Sequence, residues 1–204
     1  LEHELSALGH LRRNTPGAHF VVSCEAVIDG CSYDLEQSEE KMAVYVEYPV
    51  YIAGNLEQWL RNKPREEWEQ QSAAQHLLSA LAFIHDHGLV HNAIRPTNIL
   101  ITEYGHPVLA DFEQSRFLRP ELSAGVGLGT IGGRGVPFQL PEGVSRNFVA
   151  PEIVSSGSES SSTYASDVYS FGVVMNYLYV IMFVTLSLSL SLPPILSVCP
   201  SHSN

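Results

Sequence analysis

The sequence predicts an α+β chain, and three observations carry that reading. Two β-branched runs, AHFVVSCEAVI at 18 to 28 and KMAVYVEYPV at 41 to 50, flank an acidic, turn-rich insert. Between Glu66 and His87, Leu77, Leu78, Leu81 and Ile84 recur at helical spacing. With 45% of its 204 residues hydrophobic and 16% charged, the chain has enough apolar material for one sizeable core.

The opening stretch EHELSALGHL sets Glu4, Leu8 and Leu11 on one face of an amphipathic helix. No capping residue precedes it, so a domain whose helix begins earlier is expected. The two β-branched runs are then expected to pair antiparallel, and GNLEQWLRN to start a short helix near Asn55. Gly88 supplies a left-handed stop to the long helix. NILI and HPVLA follow as short strands around a turn at Tyr104 and Gly105. Residues 113–147 lack periodicity and are rich in glycine, which predicts one long loop. Beyond Asp167 no Asp, Glu, Lys or Arg occurs, and a Leu–Ser alternation runs up to Leu192.

Charge and cysteine usage exclude some functions. A formal charge of −11, from 22 acids against 11 bases, leaves no cationic face for a phosphate backbone, so no nucleic acid partner is expected. Cys24, Cys31 and Cys199 form no CxxC pair or metal-ligand spacing, which fits a reduced, cytoplasmic setting. His85 and His87 flank Asp86, and the arrangement reads as a solvated helix end rather than a metal cluster.

Five segments in order carry a resemblance. EYP at 47 to 49 follows an apolar strand; HNAIRPTNIL occupies 91 to 100, ADFE 110 to 113, FVAPE 148 to 152, and SDVYSFGVVM the stretch from Ser166. In this order they resemble the hinge, catalytic loop, metal-binding motif, activation-segment end and following buried helix of the eukaryotic protein kinase fold. The resemblance covers residues 47–175. It implies a protein-kinase-like α+β fold. A partial N-lobe at 1–48 would hold a helix plus two or more antiparallel strands. A truncated, mainly helical C-lobe at 49–175 and a low-complexity apolar tail at 176–204 would follow.

The resemblance also fixes what each position must supply. Phosphoryl transfer to a protein hydroxyl needs a carboxylate beside that hydroxyl, metal ions held by an Asp and an Asn, and a lysine on the phosphates. Ala93 stands where the family has its catalytic aspartate, and a methyl group accepts no proton. Because general base catalysis contributes roughly 10²–10⁴-fold, an intact catalytic set is not expected. Arg95 replaces the lysine that meets the γ-phosphate, keeping the charge in a forked shape. Asn92 replaces an arginine that in many kinases pairs with activation-loop phosphate, which puts that switch in doubt, and Glu113 replaces a flexible glycine. Asn98 and Asp111 occupy the Mg²⁺-holding positions, and Glu47, Pro49 and Leu100 line the implied nucleotide site, so weak ATP and Mg²⁺ binding without transfer is one expectation. A bland alternative has Asn98 bonding only the loop backbone and Asp111 capping a turn.

The remaining family positions are structural. Glu4 matches the glutamate that pairs with a strand lysine, but Lys41 and Lys63 both lie in other contexts, so Glu4 is expected to be a solvated helix carboxylate. His91 and Phe112, with Leu8, resemble the apolar spine joining the lobes. Asp167 resembles the helix-start aspartate that accepts hydrogen bonds from the catalytic-loop backbone. Glu152 would pair with an arginine further along, and none follows Arg146. Gly127-Leu-Gly129-Thr-Ile-Gly132 matches GxGxxG without the strand-to-helix turn that gives the pattern meaning, so a loop is expected there.

Three readings of the tail stand: a membrane crossing by residues 172–192, an extended buried helix with a disordered end, or sequence foreign to the domain, the last being favoured. A chain beginning mid-helix and changing character near Asn176 reads as a fragment. The functional expectation is a catalytically impaired kinase-fold protein that binds a protein partner or a linked kinase domain. The alternative is an active serine/threonine kinase with a non-standard base.

Overall fold

A computed structural model describes residues 2–12, 16–34, 39–118, 136–138, 146–156 and 161–191. Among the described residues the architecture is mixed, with helices carrying the core and four two-stranded antiparallel ladders attached to them.

Helix α1 (Glu2–Leu11) buries Ala7, Leu8 and Leu11. Strands β1 (Ala26–Asp34) and β2 (Glu39–Glu47) then pair from Ala26 opposite Glu47 to Asp34 opposite Glu39. This moves the first strand from its expected place at 18 to 28. Gly17, at φ 108°, turns the chain against Phe83, and Ala18–Phe20 closes a 3-10 turn with Phe20 N–H donating to the Gly17 carbonyl at 2.9 Å. Val21 and Val22 enter the core, where Val22 N–H donates to the Leu109 carbonyl at 2.8 Å. The apolar run at 18 to 22 is thus a core contact, and much of the expected insert extends the ladder. Consecutive Val27 and Ile28 are each about half exposed, so polar neighbours cost this hairpin nothing.

Helix α2 (Leu56–Asn62) starts where expected. Asn55 Oδ1 accepts from Gln58 N–H at 2.9 Å and Gln58 Oε1 accepts from Asn55 N–H at 3.0 Å, a reciprocal cap. The helix buries Leu56, Trp59 and Leu60. The Arg65 guanidinium lies 3.9 Å over the Trp59 ring and donates to the Trp59 carbonyl through Nη2 at 2.7 Å. Helix α3 (Glu67–Asp86) presents Ala73, Leu77, Ala80, Leu81 and Ile84 to the core and leaves Leu78 exposed. Gly88, at φ 73°, ends it as the sequence predicts.

Strand β3 (Leu89–Val90) pairs with β6 (Arg116–Phe117), and β4 (Ile99–Ile101) pairs with β5 (Pro107–Leu109) around the predicted turn. Asn98 is outside β4, in a 3-10 turn at Pro96–Asn98. The expected long loop at 113–147 holds more regular structure than its composition implies. Besides β6 it contains β7 (Val136–Pro137), paired with β8 (Ser161–Ser162), and the start of a 3-10 turn at Arg146–Phe148. The glycine pattern at 127–132 lies outside the described residues. Helix α4 (Pro151–Ser156) precedes α5 (Tyr164–Ser191), which continues through the composition break near Asn176. Among the described residues, no helix is long and apolar enough to cross a membrane. One main cluster joins α1, α2, α3, the β4–β5 ladder and, through Val174 and Leu178, α5.

Candidate functional site

The segment from His91 to Asn98 is held from below by the first turn of α5. Asp167, 1% exposed, accepts from His91 N–H through Oδ2 at 2.7 Å and from Asn92 N–H through Oδ1 at 2.8 Å, and His85 Nε2 lies 3.0 Å from Oδ2. A buried carboxylate with three such neighbours has its desolvation cost offset by charge-assisted hydrogen bonds. His91 is itself fully buried, and burial lowers its pKa below the ordinary range against the opposing influence of Asp167 and Asp111. Its ring packs on Phe112 at 4.6 Å, and Leu8 lies in the same core cluster as Phe112.

Among the described residues, two hold left-handed backbone without being glycine, Asn92 and Asp111, each at φ 65°. Asn and Asp tolerate that region best, so these types at these points carry little strain. The turn places Asp111 against the loop. Asn98 Nδ2 donates to Asp111 Oδ2 at 2.9 Å and to the Ala93 carbonyl at 3.0 Å, and Arg95 Nη2 lies 3.6 Å from the same Oδ2. Asn98 thus does bond the loop backbone, and it faces Asp111 as well. Ala93 N–H points to His91 Nδ1 at 3.3 Å, and its side chain is a half-buried methyl.

A hard divalent ion takes carboxylate and amide oxygens from few residues, with phosphates and water completing its shell. The Asp111 carboxylate and the Asn98 amide are residue types that suit Mg²⁺, but here they meet through the amide N–H, with Asn98 Oδ1 accepting from Thr97 Oγ1 at 3.3 Å, so the amide would have to turn to offer its oxygen to an ion. Arg95 stands beside the pair, able to meet an anionic oxygen.

Glu4 departs from the solvated carboxylate that was expected. It is half-buried and faces Tyr48, whose phenol pKa is raised first by burial and then by the Glu4 carboxylate, with Cys24 and Asp111 adding to the effect. The Tyr48 hydroxyl is buried, and Glu4 is the carboxylate beside it. Of the other sequence-derived residues, Glu47 has an exposed side chain, and its carbonyl accepts from Glu25 N–H at 2.8 Å. Pro49 is half-buried, Leu100 forms a bridge opposite Asn55, and Glu152 is exposed on α4. The structure therefore brings Ala93, Arg95, Asn98 and Asp111 into one cluster, with His91, Phe112 and Asp167 beneath it.

Sequence reasoning missed Tyr48, His85 and Ser162. His85 reads as a solvated helix end, yet it sits in the last turn of α3, one turn before the loop it helps to hold. Ser162 gives no local signal, being one serine in a run of several.

The model of the protein kinase domain family matches residues 21–185. Among curated proteins, the chain is 30% identical over 157 residues to the dual specificity protein kinase TTK of Mus musculus, covering 72% of this chain and 16% of that protein. It is 31% identical over 134 residues to a bifunctional serine/threonine-protein kinase/NEDD4-like E3 ubiquitin-protein ligase of Dictyostelium discoideum, covering 61% and 6% respectively. It is 33% identical over 135 residues to the serine/threonine-protein kinase PknK of Mycobacterium tuberculosis, covering 64% and 10%. The chain thus spans less than a fifth of the length of each of these relatives.

Proposed function

The chain belongs to the protein kinase domain family, and on that premise we propose that it is a catalytically impaired member acting as a binding or regulatory module. Ala93 carries the reading. A methyl group stands where proton acceptance from the incoming hydroxyl is needed, and the residue's hydrogen bonds are those of its backbone alone, its N–H to His91 Nδ1 and its carbonyl from Asn98 Nδ2. Nucleotide recognition is a separate matter. On this reading Asn98 and Asp111 hold Mg²⁺, which supplies charge neutralisation to the phosphates, while Arg95 meets a phosphate oxygen as a fixed cation. Ligand occupancy without turnover then tunes a protein partner or a linked kinase domain. The matched region sits within far longer chains in the relatives, which supports a role alongside other domains. The half-exposed Val27, Ile28, Val44 and Tyr45 of the hairpin offer apolar contact area of the kind partners cover. A reduced cytoplasmic setting belongs to the same reading, with Cys24 a free thiol.

A second reading is an active ATP-dependent serine/threonine kinase using a non-standard base; it rests on the presence of Asn98 and Asp111 side by side in the loop. Incubation with labelled ATP and a generic protein substrate separates the two. The impaired-module reading expects no transfer above background from the natural chain and a measurable gain in Ala93→Asp. Turnover by the natural chain would establish the second reading and end the first.

A further inference from the structure

The Asn92 side chain is spent on neither the core nor solvent. Its Nδ2 donates to the Gln114 carbonyl at 3.0 Å and to Ser162 Oγ at 3.3 Å. An amide nitrogen carries two protons, so both are used. A flipped amide would set Oδ1 against the Gln114 carbonyl, acceptor against acceptor, and the chemistry therefore fixes which atom faces inward. The backbone beneath is equally determined. Asn92 N–H is bound to Asp167 Oδ1 at 2.8 Å, and φ is 65°, a conformation that asparagine adopts far more readily than most residues.

The two acceptors bracket a long stretch of chain. Gln114 lies three residues past Asp111, immediately before buried Ser115 and β6; Ser162, fully buried, is the last residue of β8 and lies two residues before α5. From these contacts we infer that Asn92 is a positioning residue whose single amide holds both ends of the stretch from Gln114 to Ser162 against the catalytic loop. The bonds are neutral, so the clamp needs no phosphate and is little affected by salt. This holds whether or not the chain transfers phosphate.

Two substitutions separate the amide from the backbone. Asn92→Gly keeps left-handed geometry and removes the donor; Asn92→Asp keeps the shape and turns the donor into an acceptor facing the Gln114 carbonyl. Ser162→Ala removes one acceptor only. Amide hydrogen exchange of the whole chain, followed by mass spectrometry, reads residues 113–118 and 161–163, with α3 as control. In Asn92→Gly both ends are expected to exchange roughly tenfold faster together, with α3 unchanged; in Asn92→Asp only the 113–118 end is expected to loosen, because the Ser162 hydroxyl turns to donate to the new carboxylate. In Ser162→Ala only the 161–163 end is expected to loosen. Raising salt to about 0.5 M is expected to leave the natural chain's protection unchanged. Loosening of fewer than both ends in Asn92→Gly, unaltered exchange at 113–118 in Asn92→Asp, or a parallel rise in α3 would overturn the inference.

Discussion

At Asp167 the energetics of the site concentrate on one side chain. Removing its carboxylate strands two backbone donors, the buried N–H of His91 and the half-buried N–H of Asn92, and an unsatisfied buried group costs about 1–3 kcal/mol. Asp167→Ala is therefore expected to lower the unfolding free energy by about 2–5 kcal/mol, read from denaturant titration, with Asp167→Asn milder because one acceptor oxygen survives. His91 sets a pH dependence of definite sign. Burial lowers its folded-state pKa below the ordinary value of about 6.5. The unfolded chain then takes up the proton first, so stability is full above that value and falls as the pH drops through it. The melting temperature should decline from pH 7.5 to 5.5, and His91→Phe should flatten the decline. At Asp111, substitution by Ala is expected to abolish any stabilisation of the chain by ATP with Mg²⁺ in a thermal-shift titration, since it removes the carboxylate of the pair.

Among the elements, the ones legible from sequence were those whose signal is local. Helix α2 was readable at Asn55 and Gln58 because a capping box is a four-residue interaction, and α3 because its leucines keep one period up to a glycine stop. Asn55→Ala should cost about 1 kcal/mol, measurable as a lower melting temperature. The β1–β2 hairpin was misplaced because its register depends on non-local pairing. Val21 and Val22 carry strand-like chemistry but are drawn into the core by Leu109, while polar residues extend the ladder. The same pairing makes the hairpin weak. A two-stranded ladder with Val27, Ile28, Val44 and Tyr45 about half exposed gains little from burial. Its amides should exchange far faster than those of α3, and comparable protection in the two would contradict that account.

Over the whole molecule, α3 is the organising member of the core, with Leu77 and Ile84 almost wholly buried in the cluster that also holds side chains of α1, the β4–β5 ladder and α5. Ile84→Ala is expected to cost about 2–5 kcal/mol in denaturant unfolding, because the cavity opens where several elements meet. The cluster of Ala93, Arg95, Asn98 and Asp111 was legible in membership, since motif order fixes which residues stand at each position. Its wiring was not. That Arg95 and Asn98 both turn to Asp111, that Glu4 faces Tyr48, and that Ser162 closes on Asn92 follow from long-range packing that no window of sequence contains. The chain's two tryptophans sit in opposite surroundings, Trp59 enclosed beneath Arg65 and Trp68 69% exposed. Intrinsic fluorescence is accordingly expected to contain two separable populations. A neutral collisional quencher such as acrylamide should quench Trp68 in the native protein and reach Trp59 only after α2 detaches, giving an optical clock for the loss of that packing without any added label.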